Sequence, residues 1–232
     1  MKFLVLMPTF NERQNLENSV LQVLQAVPGI NLLIIDDNSP DGTGAIADKL
    51  SEENSEVSVL HRESKKGLGR AYLDGFTWAA KNSFDFVIQM DADGSHQPKN
   101  LSDLISKARP SRLVIGSRWI PGGEVLNWPW YRKVISRFGN LYARRMLGTK
   151  VMDMTAGYRL YPVSSLAKMK LQDVQAQGYG FQIEMTLLAI EEGLEVVEVP
   201  ISFVERTVGK SKMTMKIVLE AFWLCTKWGI RR

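Results

Sequence analysis

FDFVIQMDADGSHQ, residues 84–97, decides how this chain is read. Phe84, Phe86, Val87, Ile88 and Met90 make a short, apolar, partly β-branched run, which is the composition of an interior parallel strand. The run stops at the turn Asp91-Ala92-Asp93-Gly94. Two carboxylates therefore stand at the C-terminal end of a strand. In an open α/β sheet that is the edge where ligands bind, and side chains two apart on extended backbone point the same way. Asp91 and Asp93 repel each other there unless a divalent cation lies between them. Carboxylate oxygens suit magnesium or manganese, which take a few carboxylates and complete their shell with substrate phosphates. A plain polar turn would use the same residue types, so the rest of the chain has to decide between the two.

Upstream, strand-like and helix-like segments alternate. Residues 3–7 are apolar and extended, and Pro8-Thr9-Phe10-Asn11-Glu12 opens a helix buried through Leu16, Val20, Val23, Leu24 and Val27, which Pro28-Gly29 ends. A second strand at 32–35 also finishes on paired acids, Asp36-Asp37, before the turn Asn38-Ser39-Pro40-Asp41-Gly42-Thr43. A helix around Ile46 and Leu50, a strand at 57–60 and a helix over 67–80 lead into the opening stretch. Downstream, Pro98 starts a helix with Leu101, Leu104 and Ile105 on its apolar face, and a strand at 113–115 runs into Gly116-Ser117-Arg118. The alternation loosens after Ile120, with an irregular loop around Trp128-Pro129-Trp130. Helices at 134–147 and 181–192 and a strand at 196–199 follow. This order predicts an α/β fold, Rossmann-like, with a mostly parallel sheet flanked by helices on both faces.

The 232 residues suit one such domain, and 45% hydrophobic with 23% charged residues is ordinary for a globular chain. A net charge of +4 is compatible with an anionic substrate or an acidic membrane surface, and no nucleic-acid partner is expected. One cysteine, Cys225, excludes an internal disulfide and a cysteine-rich zinc site, and two histidines, His61 and His96, make a histidine metal site improbable. The apolar start MKFLVLMPTF is too short for a signal peptide and reads as the first strand.

In a parallel sheet the C-terminal strand ends lie together, so residues 8–12, 36–41 and 91–97 are expected to line one crevice. Acids after the second strand can bond a nucleoside's base or ribose, and acids after the fourth can hold a metal. A dinucleotide site of the G-x-G-x-x-G kind is excluded, because PTFNE follows the first strand, and a Walker A loop is missing. Gly67-Leu68-Gly69 reads as a tight start to a helix.

PTFNERQNL, IIDDNSPDGT, GLGRAY, MDADGSH, GSR, RKVISRFGN, DMTAGYRLY, GYGFQIE and EVPISFVER with GKSK resemble the family-2 glycosyltransferases of the dolichol- or polyprenol-phosphate mannose synthase type, from about residue 2 to about residue 212. The resemblance implies a GT-A fold over residues 1–212, and the residue pattern of 213–232 reads as a C-terminal amphipathic helix. The resemblance also implies Mg2+ or Mn2+ as cofactor, and inverting transfer of mannose from GDP-mannose to a polyprenyl phosphate. Carried over by position, Pro8, Thr9 and Glu12 would contact the nucleoside, and Asp36 and Asp37 its base or ribose. Asp91 and Asp93 would hold the metal, with Ser95 where related enzymes often place Gln. Arg118 and Arg132 would meet the acceptor phosphate, and Arg206 and Lys212 the donor diphosphate, while Asp153 matches the neighbourhood of a catalytic base in relatives with hydroxyl acceptors. An ionised phosphate acceptor needs little base help, so Asp153 could instead orient Arg159 or sugar hydroxyls. UDP-glucose as donor, a hydroxyl acceptor, and a non-catalytic nucleotide-sugar-binding module are the alternatives.

No stretch approaches the roughly 20 apolar residues of a membrane span. Residues 213–230 mix Ile217, Leu219, Phe222, Trp223 and Trp228 with Lys216 and Lys227, a pattern that fits a helix lying in a membrane interface or one packed on the domain's own core. The expected location is cytoplasmic and peripheral on the cytoplasmic membrane face, where an integral-membrane partner could also sit.

Overall fold

The structure, a computed structural model, describes residues 1–206 and 215–230, the last helix with side chains from residue 219 onward. In chain order the elements are β1 (Phe3–Thr9), α1 (Leu16–Ala26), β2 (Asn31–Asp36), α2 (Thr43–Glu53), β3 (Val57–His61), α3 (Leu68–Lys81), β4 (Phe86–Gln89), α4 (Leu101–Ser106), β5 (Arg112–Ser117), β6 (Glu124–Leu126), α5 (Trp130–Leu147), β7 (Arg159–Pro162), α6 (Val163–Leu166), α7 (Gly178–Glu191), β8 (Glu195–Pro200), β9 (Ser202–Val204) and α8 (Met215–Ile230). Seven strands form one sheet in the order β3-β2-β1-β4-β7-β5-β8, and β6 pairs with β9 in a small second sheet. All pairings in the large sheet are parallel except those of β7, which runs antiparallel to β4 and to β5.

Alternation along the strands sorts their side chains onto two faces. Leu4 and Leu6 of β1 and Leu33 and Ile35 of β2 join α3, α7 and α8 in one core, while Val5, Met7, Leu32 and Ile34 join α1, α2 and α4 in the other. Helix α3 lies close on the sheet because Gly75 carries no side chain: a Cβ there would fall 2.7 Å from Ile35 Cδ1. Gly69 does the same toward α7, where a Cβ would meet Phe181 at 2.7 Å. The glycines at the start of α3 thus serve packing.

The expected elements are present, with β7 and the β6/β9 pair added. β7 is RLYP, four residues, all buried, with a charged residue at one end and proline at the other, so neither alternation nor an apolar run announces it. Helix α8 packs on the domain: Cys225 is buried, Ala221 and Trp228 lie against the core, and the Phe222 ring stands 4.9 Å from that of Tyr142. Leu219, Trp223 and Ile230 remain exposed. No helix among the described residues is long and apolar enough to cross a membrane.

Candidate active site

Chain order reverses direction across the sheet between β1 and β4. From β1 the chain steps outward to β2 and β3, then returns to place β4 on the other side. A crevice forms at the C-terminal ends of strands where such a reversal occurs. The cleft found there is lined by Pro8, Thr9, Glu12 and Asp37 at one end, by Asp91, Asp93 and Arg206 in the middle, and by Arg118 and Arg132 at the other. The three loops expected to converge do so.

At the nucleoside end the two acids after β2 part company. Asp37 lines the cleft, bonded to Arg62, whose Nε also donates to Asp74 at 2.7 Å. Burial outweighs Arg62 and pushes the Asp37 carboxyl above its ordinary range. Asp36 is 2% exposed and turned into the loop, where it accepts the Ser39 hydroxyl at 2.6 Å and the Thr9 hydroxyl at 3.3 Å. Asp36 shapes the turn and Asp37 faces the ligand space. Phe10, within the loop expected here, and Lys65, which sequence reasoning passed over, also line the cleft, with the Lys65 ammonium 3.8 Å from the Phe10 ring centre.

In the middle, the acid turn is braced from several sides. The Ser95 N–H donates to Asp93 Oδ1 at 3.0 Å, the Asp91 N–H donates to His96 Nδ1 at 3.0 Å, and the Tyr72 hydroxyl donates to Asp91 at 3.4 Å. Arg206 Nη2 lies 2.9 Å from Asp93 Oδ2. Burial pushes the Asp93 carboxyl up, but the Ser95 hydrogen bonds and the Arg206 guanidinium prevail and hold it below the usual range. Burial also keeps His96 neutral, by lowering its pKa. No group of three or more His, Cys, Asp or Glu that could hold a metal occurs among the described residues. Two carboxylates with room for phosphate and water are what magnesium and manganese use, and the guanidinium on Asp93 stands where such a cation would. Asp91 and Asp93 therefore fit the group; Ser95, buried, braces Asp93 through its backbone.

At the far end, Arg118 is nearly fully buried. Its Nε and Nη2 each donate to Asp153 at 2.7 Å, its backbone N–H donates to the same carboxylate at 3.0 Å, and Nη2 reaches Thr155 Oγ1 at 2.9 Å. No described residue bonds Nη1. Burial works against the Asp153 charge, and the Arg118 ion pair overcomes it, holding the carboxyl below its ordinary range. Asp153 is fully buried and does not line the cleft; it orients Arg118. Its own loop is fixed by Glu198, which accepts the N–H groups of Met152 and Asp153 at 2.8 and 3.0 Å, and by the buried Arg159, which donates to the carbonyls of Met154 and Ala156. Arg132 pairs with Glu205 and lies 3.9 Å over the Trp128 ring.

Sequence reasoning found the acids and most cations of this cleft. Lys212 lies outside the described residues. His96, Trp128, Thr155, Tyr179 and Gln182 also line the cleft; sequence reasoning gave none of them a role, although His96 lies in the stretch 91–97 expected at the crevice, and Thr155, Tyr179 and Gln182 lie inside DMTAGYRLY and GYGFQIE. Beside the far end an apolar cavity opens between α5, α7 and α8, lined by Arg118, Ile135, Tyr142, Ile183, Ala221 and Phe222 among others.

Comparison with known proteins agrees with this geometry. The chain is 47% identical over 230 residues to an undecaprenyl-phosphate mannosyltransferase of Micrococcus luteus, covering 99% of this chain and 95% of the relative. It is 49% identical to a polyprenol monophosphomannose synthase of Mycolicibacterium smegmatis, covering 98% of this chain and 87% of that one. Among solved structures, glucosyl-3-phosphoglycerate synthase of Mycobacterium tuberculosis, in complex with Mn2+, uridine diphosphate and phosphoglyceric acid, superposes with a TM-score of 0.68 at 19% identity, over 97% of this chain and 78% of that one. That likeness extends to the fold, a GT-A arrangement. The sequence profile of glycosyl transferase family 2 matches residues 4–170, a span holding β1 to β7 and both metal-type carboxylates, and the chain belongs to that family of glycosyltransferases.

Proposed function

We propose that the protein transfers mannose from GDP-mannose to a polyprenyl phosphate, with a divalent metal and with inversion at the anomeric carbon. The relatives' names support the sugar and the acceptor class. The observation that carries the reading for this chain is the apolar cavity that begins at Arg118. A cation on the wall of an apolar cavity suits an acceptor made of a phosphate on an isoprenoid chain. GDP as the nucleotide rests on the sequence resemblance.

In this reading the nucleoside lies against Pro8, Thr9 and Asp37, and Arg206 and Arg132 meet phosphate oxygens once their present carboxylate partners are displaced. Asp91 and Asp93 would hold the metal, which supplies positive charge to the departing diphosphate. Arg118, fixed by Asp153, positions the acceptor phosphate. One of its ionised oxygens forms a bond to the anomeric carbon, the bond from that carbon to the diphosphate oxygen breaks, and the electron pair leaves with GDP. No proton has to be removed, so positioning and electrostatics supply the rate. A hydroxyl acceptor would need a base, and the residue expected for that role, Asp153, is fully buried and engaged by Arg118. The exposed aromatic side chains of α5 and α8 support docking on a membrane surface, where such an acceptor resides.

The test is transfer of labelled sugar from GDP-mannose, with UDP-glucose in parallel, to a short-chain polyprenyl phosphate in detergent with Mg2+ or Mn2+. The expected result is a metal-dependent mannolipid that Asp93→Ala abolishes. Glucose transfer instead would change the donor, and nucleotide binding without lipid product from either donor would overturn the acceptor assignment.

A further inference from the structure

Two nearly buried side chains of the cleft are not used by the metal or phosphate chemistry. Gln182 of α7 is 4% exposed, and its Oε1 is buried with no hydrogen-bond partner among the described residues. Its backbone is held in place, the carbonyl accepting from Arg159 Nη1 at 2.7 Å. A buried amide left short of partners is costly, and this one belongs to a residue of the cleft wall, where a ligand can pair it. His96 is the second. Its Nδ1 accepts the Asp91 N–H, which leaves the neutral ring's hydrogen on Nε2, and the ring is held by stacking on Tyr158 at 4.8 Å and by the Phe203 edge at 5.5 Å.

Both side chains reach the cleft at Gly157, which also lines it. A Cβ on Gly157 would lie 3.4 Å from His96 Cε1, 3.8 Å from His96 Nε2 and 3.9 Å from Gln182 Nε2. The Gly157 backbone is not in the left-handed region, so conformation does not require glycine there; the missing side chain keeps the gap open. Two N–H donors, His96 Nε2 and Gln182 Nε2, therefore face one small space. A hydroxyl oxygen, which accepts twice, is the chemical match. In the strand order β2-β1-β4-β7, Gly157, just before β7, lies across the β4 turn of Asp91 and Asp93 from Pro8 and Asp37, so in the reading above it faces the group attached to the diphosphate rather than the nucleoside.

We propose that the Gln182 amide, His96 Nε2 and the gap at Gly157 form a subsite that reads one hydroxyl of the transferred sugar. This rests on the nucleotide-sugar reading above. A sugar with that hydroxyl in the other configuration, or without it, leaves the buried amide unpaired and is rejected for that reason.

The experiment measures calorimetric binding of GDP and GDP-mannose, with UDP and UDP-glucose alongside, to the full chain with Mn2+, for wild type, Gln182→Leu and Gly157→Ala. In both variants the nucleotide affinity stays the same, while the affinity gained from the attached sugar falls by about two- to tenfold. Gln182→Leu melts no lower than wild type, since it removes an unpaired polar atom, which separates the loss from misfolding. A series of monodeoxy donors supplies the second readout: for one of them, wild type and Gln182→Leu bind equally. Equal weakening of nucleotide and nucleotide sugar, an unchanged nucleotide-sugar affinity, or additive losses with every deoxy donor would each overturn the subsite. If wild type binds no nucleotide sugar at all, the functional reading falls first and this one with it.

Discussion

Asp153 and Arg118 set the chemistry of the far end of the cleft between them. Arg118 could serve a phosphate only if its guanidinium is aimed, and two parallel bonds to a fully buried carboxylate aim it better than one would. A buried pair of this kind contributes little net stability against an apolar alternative, but removing one partner strands the other. Asp153→Asn is therefore expected to destabilise the fold by about 3–5 kcal/mol near neutral pH. Its pH dependence follows from the direction of the shift. The folded-state carboxyl titrates below its unfolded value, so the stabilisation is present above the unfolded pKa of about 3.9 and is lost as pH falls through the folded value. Denaturant unfolding of wild type and variant should show the gap narrowing progressively as pH falls below about 4; a gap that stays constant or widens toward acid would contradict the assignment. The sequence marked Asp153 as a site residue without giving its partner, because Arg118 is 35 positions away and only the pairing of β7 beside β5 brings the two loops together. Asp36 and Asp37 make the same point at shorter range. Neighbours on a strand face opposite ways, so one acid of the pair shapes the turn and the other faces the cleft.

The elements that carry the first half of the chain were legible because each obeys one period. The run before Asp91 is apolar and bounded by turns, α1 repeats its apolar residues at helical spacing, and both were expected where they lie. β7 and β9 obey no such rule, being short strands that tertiary contacts impose on mixed residues. The chain leaving β9 matters most to the site. Val204 donates its N–H to the Ser95 carbonyl at 3.1 Å, Glu205 donates its own to Leu126 at 3.1 Å, and the next two side chains pair with cleft residues, Glu205 with Arg132 and Arg206 with Asp93. One dipeptide thus puts a carboxylate on Arg132, proposed to meet phosphate, and a guanidinium on Asp93, proposed to hold metal. In that reading metal binding has to displace the second of these. In nucleotide-free protein, Arg206→Gln should bind Mn2+ several-fold more tightly than wild type, by the loss of a competing cation worth roughly 1 kcal/mol. The same variant should lose catalytic efficiency with nucleotide sugar, because the guanidinium is also the phosphate ligand. Free-Mn2+ titration by electron paramagnetic resonance measures the first effect, and unchanged or weaker binding in the variant would mean that Arg206 does not compete.

The whole molecule presents one face that its own core does not explain. Trp130, Val134 and Phe138 recur at intervals of four on α5 and are 77%, 57% and 59% exposed, and Leu219 and Trp223, four apart on α8, are 61% and 60% exposed. The two helices pack through Phe138, Tyr142 and Phe222, so these side chains belong to one surface. Exposed arginines, Arg137 and Arg145, border it on α5, and the apolar cavity next to Arg118 lies between the same helices. An aromatic and aliphatic face rimmed by cations is what a bilayer interface with anionic headgroups accommodates, aromatic rings at headgroup level and guanidinium groups toward lipid phosphates. The sequence left open whether the last helix packs on the core or lies on a membrane; the structure packs it on the core through Cys225, Ala221 and Trp228, and leaves Leu219 and Trp223 facing out. Burying a large side chain contributes about 1.5–3 kcal/mol, so replacing Trp130, Phe138 and Trp223 together by serine should lower partition onto vesicles containing anionic lipid by well over tenfold. Transfer to a short-chain acceptor dispersed in detergent should change little, since none of the three lines the cleft or the cavity. Sedimentation with vesicles at low and high salt separates the apolar contribution from the cationic one, because only the latter is screened. If wild type does not sediment with vesicles but self-associates with rising concentration, and the triple variant abolishes that, the face belongs to a second copy of the chain.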